Sequence, residues 1–106
     1  MAVVQSRVVH KSNLEKAIDK VVRRLGPEVV RVRYNLDEDW TGEPAIFFRV
    51  VLTDSAARDP KRRGATQKVI EHVFDDLQPQ GNWGRYPYFN FLSKSDSLKI
   101  NDPAWN

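Results

Sequence analysis

Four acidic residues and one tryptophan lie close together between two strand-like segments. They are Asp37, Glu38, Asp39, Trp40 and Glu43, in the stretch DEDWTGE. Carboxylate oxygens are ligands that Ca²⁺ and Mg²⁺ prefer, but the spacing is not that of an EF-hand loop. Tryptophan is enriched at the energetically dominant positions of protein interfaces. The stretch can be a solvated connection, a partner surface or a metal site. We predict a connection that also contacts a protein partner, without a metal.

Three arginines form a second candidate site. Arg31 and Arg33 precede the acidic stretch and Arg49 follows it. All three share one sheet face if the two strand-like segments pair antiparallel, and Tyr88 joins them in one of the registers open to a third strand. Arginines interleaved with aromatic rings on an open sheet bind single-stranded RNA in several small modules. Binding of RNA or DNA is therefore the alternative function.

A further basic group precedes a predicted helix. It comprises Arg58, Lys61, Arg62 and Arg63, in the stretch RDPKRRG. Helix N-termini bind phosphate groups, which favours a role in nucleic-acid binding. Cations at this position oppose the helix dipole, and a solvated loop whose charges are screened by salt is the simpler interpretation. We assign the group to the nucleic-acid alternative.

The sequence contains no pattern that names a reaction. His10 and His72 are the two histidines, and cysteine is absent. The lack of cysteine excludes disulfides, cysteine metal sites and thiol catalysis. No glycine-rich phosphate loop and no spacing typical of a Ser-His-Asp triad are present. We therefore predict no catalytic residue and no cofactor, and a non-enzymatic role is favoured.

Two amphipathic helices and three strands position these residues. In the first helix, Ser12 and Glu15 have the spacing of a capping box, apolar residues recur with helical periodicity, and Gly26 followed by Pro27 ends the pattern. The second helix is predicted from about residue 61, with Pro79 marking its end. The three predicted strands cover 28–35, 45–54 and 85–92. Residues 3–9 are either a fourth strand or an extension of the first helix.

The order helix, strand, strand, helix, strand predicts an α+β fold. Amphipathic helices need a sheet to bury their apolar faces, so we expect a two-layer sandwich with both helices on one face of a small antiparallel or mixed sheet. The apolar segment 45–54 is expected to be the central strand. An unpaired sheet edge offers a site for a protein partner or a second copy of the chain. The 106 residues form one domain, with a flexible tail expected over 97–106.

Composition is that of an ordinary globular chain. Hydrophobic residues make up 41% and charged residues 29%, and the formal net charge is +3. This charge permits nucleic-acid binding but does not argue for it. The N-terminal residues lack the apolar core of a signal peptide, and no apolar run reaches the length of a membrane span. We expect a cytoplasmic protein without membrane contact.

Two sequence blocks carry a resemblance. EDWTGEPAIFFRVVLTD and YFNFLSKSD resemble blocks of a family of short bacterial proteins of uncharacterised activity, over roughly residues 28–96. The resemblance implies no catalytic residue. Genes of such proteins beside toxin-like genes imply a protein partner. The expected function is thus a non-enzymatic protein-interaction module, such as a small regulatory or antitoxin-like partner of a larger protein.

Overall fold

A three-stranded mixed sheet organises the chain. The computed structural model describes residues 2–100 and 102–105, with side chains from residue 13 onwards. The elements are α1 (Ala2–Arg24), β1 (Val29–Glu38), β2 (Pro44–Leu52), α2 (Lys61–His72), a π-helical continuation (Val73–Leu77), α3 (Pro79–Trp83), β3 (Tyr86–Ser93), α4 (Lys94–Lys99) and a 3-10 turn (Pro103–Trp105). The strand order is β1-β2-β3, with β1 antiparallel and β3 parallel to β2.

The central position of β2 follows from its composition. Ile46, Phe48 and Val50 face the helices and are fully buried, while Ala45 and Val51 are buried although they point to the opposite face. A strand that is apolar on both faces is stable only when both faces are covered. The strand order β1-β2-β3 confirms the prediction that this strand is central.

The hydrophobic core lies between one face of the sheet and two helices. The helical residues in it are Leu14, Ile18 and Val21 of α1, and Ala65, Val69, Val73 and Leu77 of α2 and its π-helical continuation. Phe48 of β2 stacks on Phe89 of β3, with ring centroids 5.3 Å apart. The predicted α+β class, the element order and the placement of both helices on one face are confirmed.

The first helix begins earlier than the capping-box spacing indicates. Helix α1 starts at Ala2, so residues 3–9 extend the helix and do not form a fourth strand. Ser12 and Glu15 lie inside the helix, because the S-x-x-E spacing marks a helix start only where the preceding chain leaves the helical conformation. The predicted end is confirmed: Arg23 and Arg24 occupy the last turn, where cations complement the dipole, and Gly26 and Pro27 follow.

The predicted end of the second helix at Pro79 is confirmed, but a short helix that the sequence did not predict follows it. Gln78 adopts a left-handed conformation (φ 49°) that ends the π-helical segment, and Pro79 then begins α3 at a position where proline is favoured. Gly84, with φ 62°, ends α3. In the stretch expected to be flexible, residues 97–99 belong to α4. Its cap is Ser93, whose side chain accepts a hydrogen bond from the Asp96 N–H.

Replacing a central core residue tests this packing. Phe48 is 2% exposed, so we expect Phe48→Ala to lower the free energy of unfolding by about 3–5 kcal/mol through lost burial and a residual cavity. Urea denaturation monitored by circular dichroism measures the change. Arg63→Ala, at an exposed position, is the control and should stay within about 0.5 kcal/mol of wild type. A loss below about 1 kcal/mol in Phe48→Ala would contradict the packing.

Candidate interaction surface on the open face of the sheet

The face of the sheet opposite the helices, called here the open face, is built from four rows of three residues. Each row takes one residue from β1, one from β2 and one from β3. Starting at the β1–β2 hairpin, the rows are Asp37–Ala45–Tyr86, Asn35–Phe47–Tyr88, Arg33–Arg49–Asn90 and Arg31–Val51–Leu92. Successive rows are about 6.6 Å apart, since they are two residues apart and each strand rises about 3.3 Å per residue. The open face is therefore aromatic and acidic near the hairpin and basic at the other end.

The acidic stretch forms a tight hairpin turn between β1 and β2. The Asp39 N–H donates to the Glu43 carbonyl, and the Gly42 N–H donates to the Asp39 carbonyl, both at 2.9 Å. Gly42 has φ +85°, which a side chain would strain. Aspartate at the first position and glycine at the fourth fit a type I turn followed by a glycine bulge, a common three-residue hairpin loop. The connecting role of this stretch is thereby established.

The Asp39 carboxylate holds this hairpin together. Its Oδ1 accepts from the Thr41 hydroxyl (2.6 Å), the Thr41 N–H (2.9 Å) and the Glu43 N–H (3.1 Å), and its Oδ2 accepts from the Tyr88 hydroxyl (2.9 Å). These bonds, led by that from the Thr41 hydroxyl, lower the pKa of Asp39 to about 2. Both oxygens are engaged within the protein, so Asp39 shapes the surface and does not offer a free ligand.

Four aromatic residues, called here the aromatic cluster, gather beside the hairpin: Trp40, Phe47, Tyr86 and Tyr88. Tyr88 lies at the centre, stacked on Phe47 (centroids 5.2 Å apart) and in tilted contact with Trp40 (5.4 Å) and Tyr86 (5.1 Å). Partial burial and the bond to Asp39 raise the pKa of the Tyr88 hydroxyl. Trp40 is 81% exposed despite its contact with Tyr88. The sequence did not mark Phe47 and Tyr86 as site residues, since only register brings them here.

The remaining carboxylates surround the aromatic cluster and stay exposed. Asp37, Glu38 and Glu43 form no ion pair in the part of the chain that the structure describes. Arg85, which sequence reasoning missed, donates from Nη1 to the carbonyls of Asp37 (3.3 Å) and Ala45 (3.0 Å). No group of three or more metal-ligating side chains occurs among the described residues.

Arg31, Arg33 and Arg49 lie on the open face. Tyr88 lies on the same face, as one of the two registers considered for the third strand predicts. Arg33 pairs directly with Arg49 across β1 and β2. Arg49 donates from Nε to the Ala104 carbonyl (2.8 Å) and from Nη1 to Asn35 Oδ1 (2.6 Å). Over residues 13–100 and 102–105, none of the three forms an ion pair with a carboxylate. Arg33 is exposed and Arg31 half-buried.

The C-terminal 3-10 turn covers part of the basic end. The contact between Ala104 and Arg49 places this turn over the third row. Val51, in the fourth row, is only 1% exposed although it faces away from the helices. The basic end of the open face is therefore partly covered, whereas the aromatic end near the hairpin is open.

The basic group at residues 58–63 lies elsewhere, at the start of α2 in the helical layer. Arg62 Nη2 donates to the Phe91 carbonyl on β3 (3.2 Å), so this residue stabilises the sheet edge. Arg58 is one of the charges that lower the pKa of Asp54, after hydrogen bonds from Ser95. Lys61 and Arg63 are exposed. The structure does not bring this group together with the sheet arginines on the open face.

A groove of about 710 Å³ lies on the helical side, between α1 and the π-helical segment. Basic residues of α1, including Lys16 and Lys20, line it opposite Asp75 and Asp76. Asp76 Oδ2 lies 3.7 Å from Arg24 Nη1 and 3.3 Å from His72 Nδ1, so His72 belongs to a surface hydrogen-bond network. The side chain of His10 lies outside the described residues.

Comparisons with known proteins do not assign a function to this chain. No family model, no curated protein and no solved structure matches the chain. Among the described residues, no helix combines the length and the hydrophobicity that a membrane span requires. The resemblance to short bacterial proteins therefore stays a prediction.

Removing the Tyr88 hydroxyl tests the hairpin network. We expect Tyr88→Phe to raise the pKa of Asp39 from about 2 toward 3.8, because one of its donors is lost. NMR titration of the Asp39 carboxyl carbon measures this pKa. Tyr86→Phe is the matched control, since the Tyr86 hydroxyl is not a donor to Asp39, and it should leave the value unchanged. An unaltered pKa in Tyr88→Phe would contradict the network.

The same network predicts a pH dependence of stability. A carboxyl whose folded pKa is about 2 and whose ordinary value is 3.8 stabilises the fold above the ordinary value, and this contribution is lost as pH falls through the folded value. Between about pH 4 and pH 2, wild type should therefore lose more stability than Asp39→Asn. Urea midpoints at both pH values measure the difference. Equal losses in the two proteins would contradict the assigned role of Asp39.

Proposed function

We propose that this protein is a non-enzymatic protein-interaction module that docks a partner on the aromatic cluster. The observation that carries the proposal is Trp40, which is 81% exposed at the tip of an ordered hairpin. A large apolar side chain held in water is unfavourable in the free protein and becomes favourable when a partner covers it. Tryptophan in such a position commonly dominates the binding energy.

Preorganisation of the hairpin supports this role. The Asp39 carboxylate fixes the turn through Thr41 and Glu43 and fixes its position on the sheet through Tyr88. The Trp40 ring contacts the Tyr88 ring, so this side chain is held against the sheet. A partner therefore binds without first ordering the loop, which lowers the entropic cost of association. The acidic stretch contributes by holding Trp40 in place.

The arrangement of the rings favours protein over nucleic acid at this end of the sheet. Modules that bind single strands stack bases on free ring faces. Here the Tyr88 ring is occupied by Phe47, Trp40 and Tyr86, and its hydroxyl by Asp39. Asp37, Glu38 and Glu43 belong to the hairpin beside the cluster and form no ion pair among the described residues, which disfavours phosphates although Arg85 also borders the cluster. Apolar protein side chains suit this surface better than nucleotides.

Nucleic-acid binding remains the second candidate, because Arg33 and Arg49 are neighbours without a carboxylate partner among the described residues. Like charges directly opposite on a sheet are destabilising, and a phosphate between them would relieve the repulsion. This candidate is second because Arg49 and Arg62 already serve internal contacts and the 3-10 turn covers part of the basic end.

The partner class is part of the same proposal. The partner we propose is a larger protein, with this chain as its regulator or neutraliser, as the resemblance predicted from the sequence would imply. A small domain with one exposed aromatic cluster is suited to such a role, since one well-packed tryptophan supplies much of an interface's energy.

Affinity capture from a native-like lysate, with nuclease treatment, tests the proposal. The expected result is a stoichiometric protein that binds wild type and binds Trp40→Ala about 30-fold more weakly, the effect of a loss of about 2 kcal/mol. Leu98→Ala is the matched control, because Leu98 is 74% exposed but lies on α4, away from the cluster. Capture that is equally strong with Trp40→Ala would contradict the proposed surface.

A salt titration with a fluorescent single-stranded oligonucleotide tests the second candidate. If the sheet arginines bind phosphates, Arg33→Ala should weaken binding and reduce the slope of log K against log salt by about one unit. Lys68→Ala, which removes an exposed cation on α2, is the control and should leave the slope unchanged. The absence of salt-dependent binding in wild type would rule this candidate out.

A further inference from the structure

The two edges of the sheet differ in their protection against pairing. On β3, the Arg62 guanidinium binds the Phe91 carbonyl, and Pro87 removes one N–H from the strand. Both features oppose the addition of another strand. Edge strand β1 is ten residues long, has no second strand partner among the described residues, and contains no proline. The β1 edge is therefore the one that can accept a further strand.

The backbone groups available on this edge follow from the hairpin. Asp39 bonds to Glu43 across the turn, and the register continues unbroken from Glu38 to Arg31. In an antiparallel pair, every second residue directs its N–H and C=O to the partner strand and the residues between direct theirs outwards. Asp37, Asn35 and Arg33 therefore bond to β2, and the intervening residues present free groups at the edge: Val32, Tyr34, Leu36.

The side chains of one β1 strand are complementary to those of a second copy of β1 when the two strands run antiparallel. On the open face the strand carries Arg31 and Arg33 at one end and Asp37 at the other. When a second copy of β1 pairs about a two-fold axis at Tyr34, Arg31 lies opposite Asp37 of the second copy, and Arg33 lies opposite Asn35. On the helix side, Val32 lies opposite Leu36 and Tyr34 opposite itself. Opposite charges and aromatic or aliphatic pairs stabilise such a ladder.

Neighbouring registers are less favourable. An axis at Arg33 places the two copies of this arginine directly opposite each other, which is repulsive. An axis at Asn35 places Arg31 opposite Asp39, whose oxygens are already engaged, and Val32 opposite Glu38. The axis at Tyr34 also makes the outward-pointing groups of Val32, Tyr34 and Leu36 bond to one another.

We propose that two copies of this chain associate through their β1 edges, antiparallel and in register about Tyr34, to form a continuous six-stranded sheet. The bulge between Val29 and Arg31 ends the ladder just outside the paired segment, where Val30 is 43% exposed. The two hairpins then point in opposite directions. With six residues from Tyr34 to Trp40, the two aromatic clusters lie about 40 Å apart along the strands, which makes the dimer bivalent toward a partner. The association is independent of the proposed partner surface.

Engineered cysteines test the register, because the chain contains none of its own. Non-hydrogen-bonded residues directly opposite in antiparallel strands have Cα atoms about 4.5 Å apart, within reach of a disulfide. We expect a mixture of Arg33→Cys and Asn35→Cys proteins to form a disulfide-linked dimer under mild oxidation. Each variant alone should cross-link far less. Dimerisation of wild type is measured in parallel by sedimentation velocity over a range of concentrations.

Each other outcome contradicts the proposal. Efficient cross-linking of Asn35→Cys alone, or of Arg33→Cys alone, would show pairing in one of the neighbouring registers. A wild-type dimer that cross-links in none of the three samples would show association through another surface. A monomer at all concentrations would show that the β1 edge stays unpaired.

A charge reversal separates loss of pairing from loss of folding. Asp37→Arg should weaken the dimer at least tenfold, because residue 37 then faces Arg31 of the second copy. The double variant Arg31→Asp with Asp37→Arg should restore dimerisation, since opposite charges face each other again. Glu43→Arg reverses a carboxylate outside the paired segment and should leave the dimer unchanged. Failure of the double variant to recover, with folding intact by circular dichroism, would contradict the register.

Discussion

Burial of β2 on both faces is the constraint on which the rest of this structure depends. Ile46, Phe48 and Val50 need the helices on one side, and Ala45 and Val51 need cover on the other. A strand of this kind is stable only with a neighbour on each edge, so β1 and β3 are held in fixed register with it. Since side chains alternate along each strand, that register also decides which polar and aromatic residues reach the open face.

The same alternation links folding to function. The residues of β1 and β3 that do not enter the core form the aromatic end and the basic end of the open face. Asp39 fixes the position of the hairpin relative to the aromatic end, because its carboxylate accepts hydrogen bonds from both the turn and Tyr88. Trp40 remains in solvent as a consequence. The proposed partner surface centres on Trp40 and the proposed dimer edge on Tyr34, and Asp37 lies between the two.

Periodicity in the sequence was sufficient to predict the fold class, the element order, the central strand and the shared face of Arg31, Arg33 and Arg49. It could not locate the start of α1, because the Ser12–Glu15 spacing is compatible with both a helix start and a helix interior. It could not find the bond from Tyr88 to Asp39, which spans 49 residues and exists only through register. Arg62 was predicted to belong to a basic site, because the sequence contains no signal for its hydrogen bond to a β3 carbonyl.

Fluorine NMR of protein labelled with 5-fluorotryptophan tests the central claim most directly, that a partner covers Trp40. The chain has three tryptophans, and the Trp40→Phe variant assigns the relevant signal. In the free protein, the Trp40 signal should show the largest shift between H₂O and D₂O, as expected for an indole that is 81% exposed. Addition of the captured partner should abolish that solvent shift. A Trp40 signal that keeps its full solvent shift in a saturated complex would contradict the account.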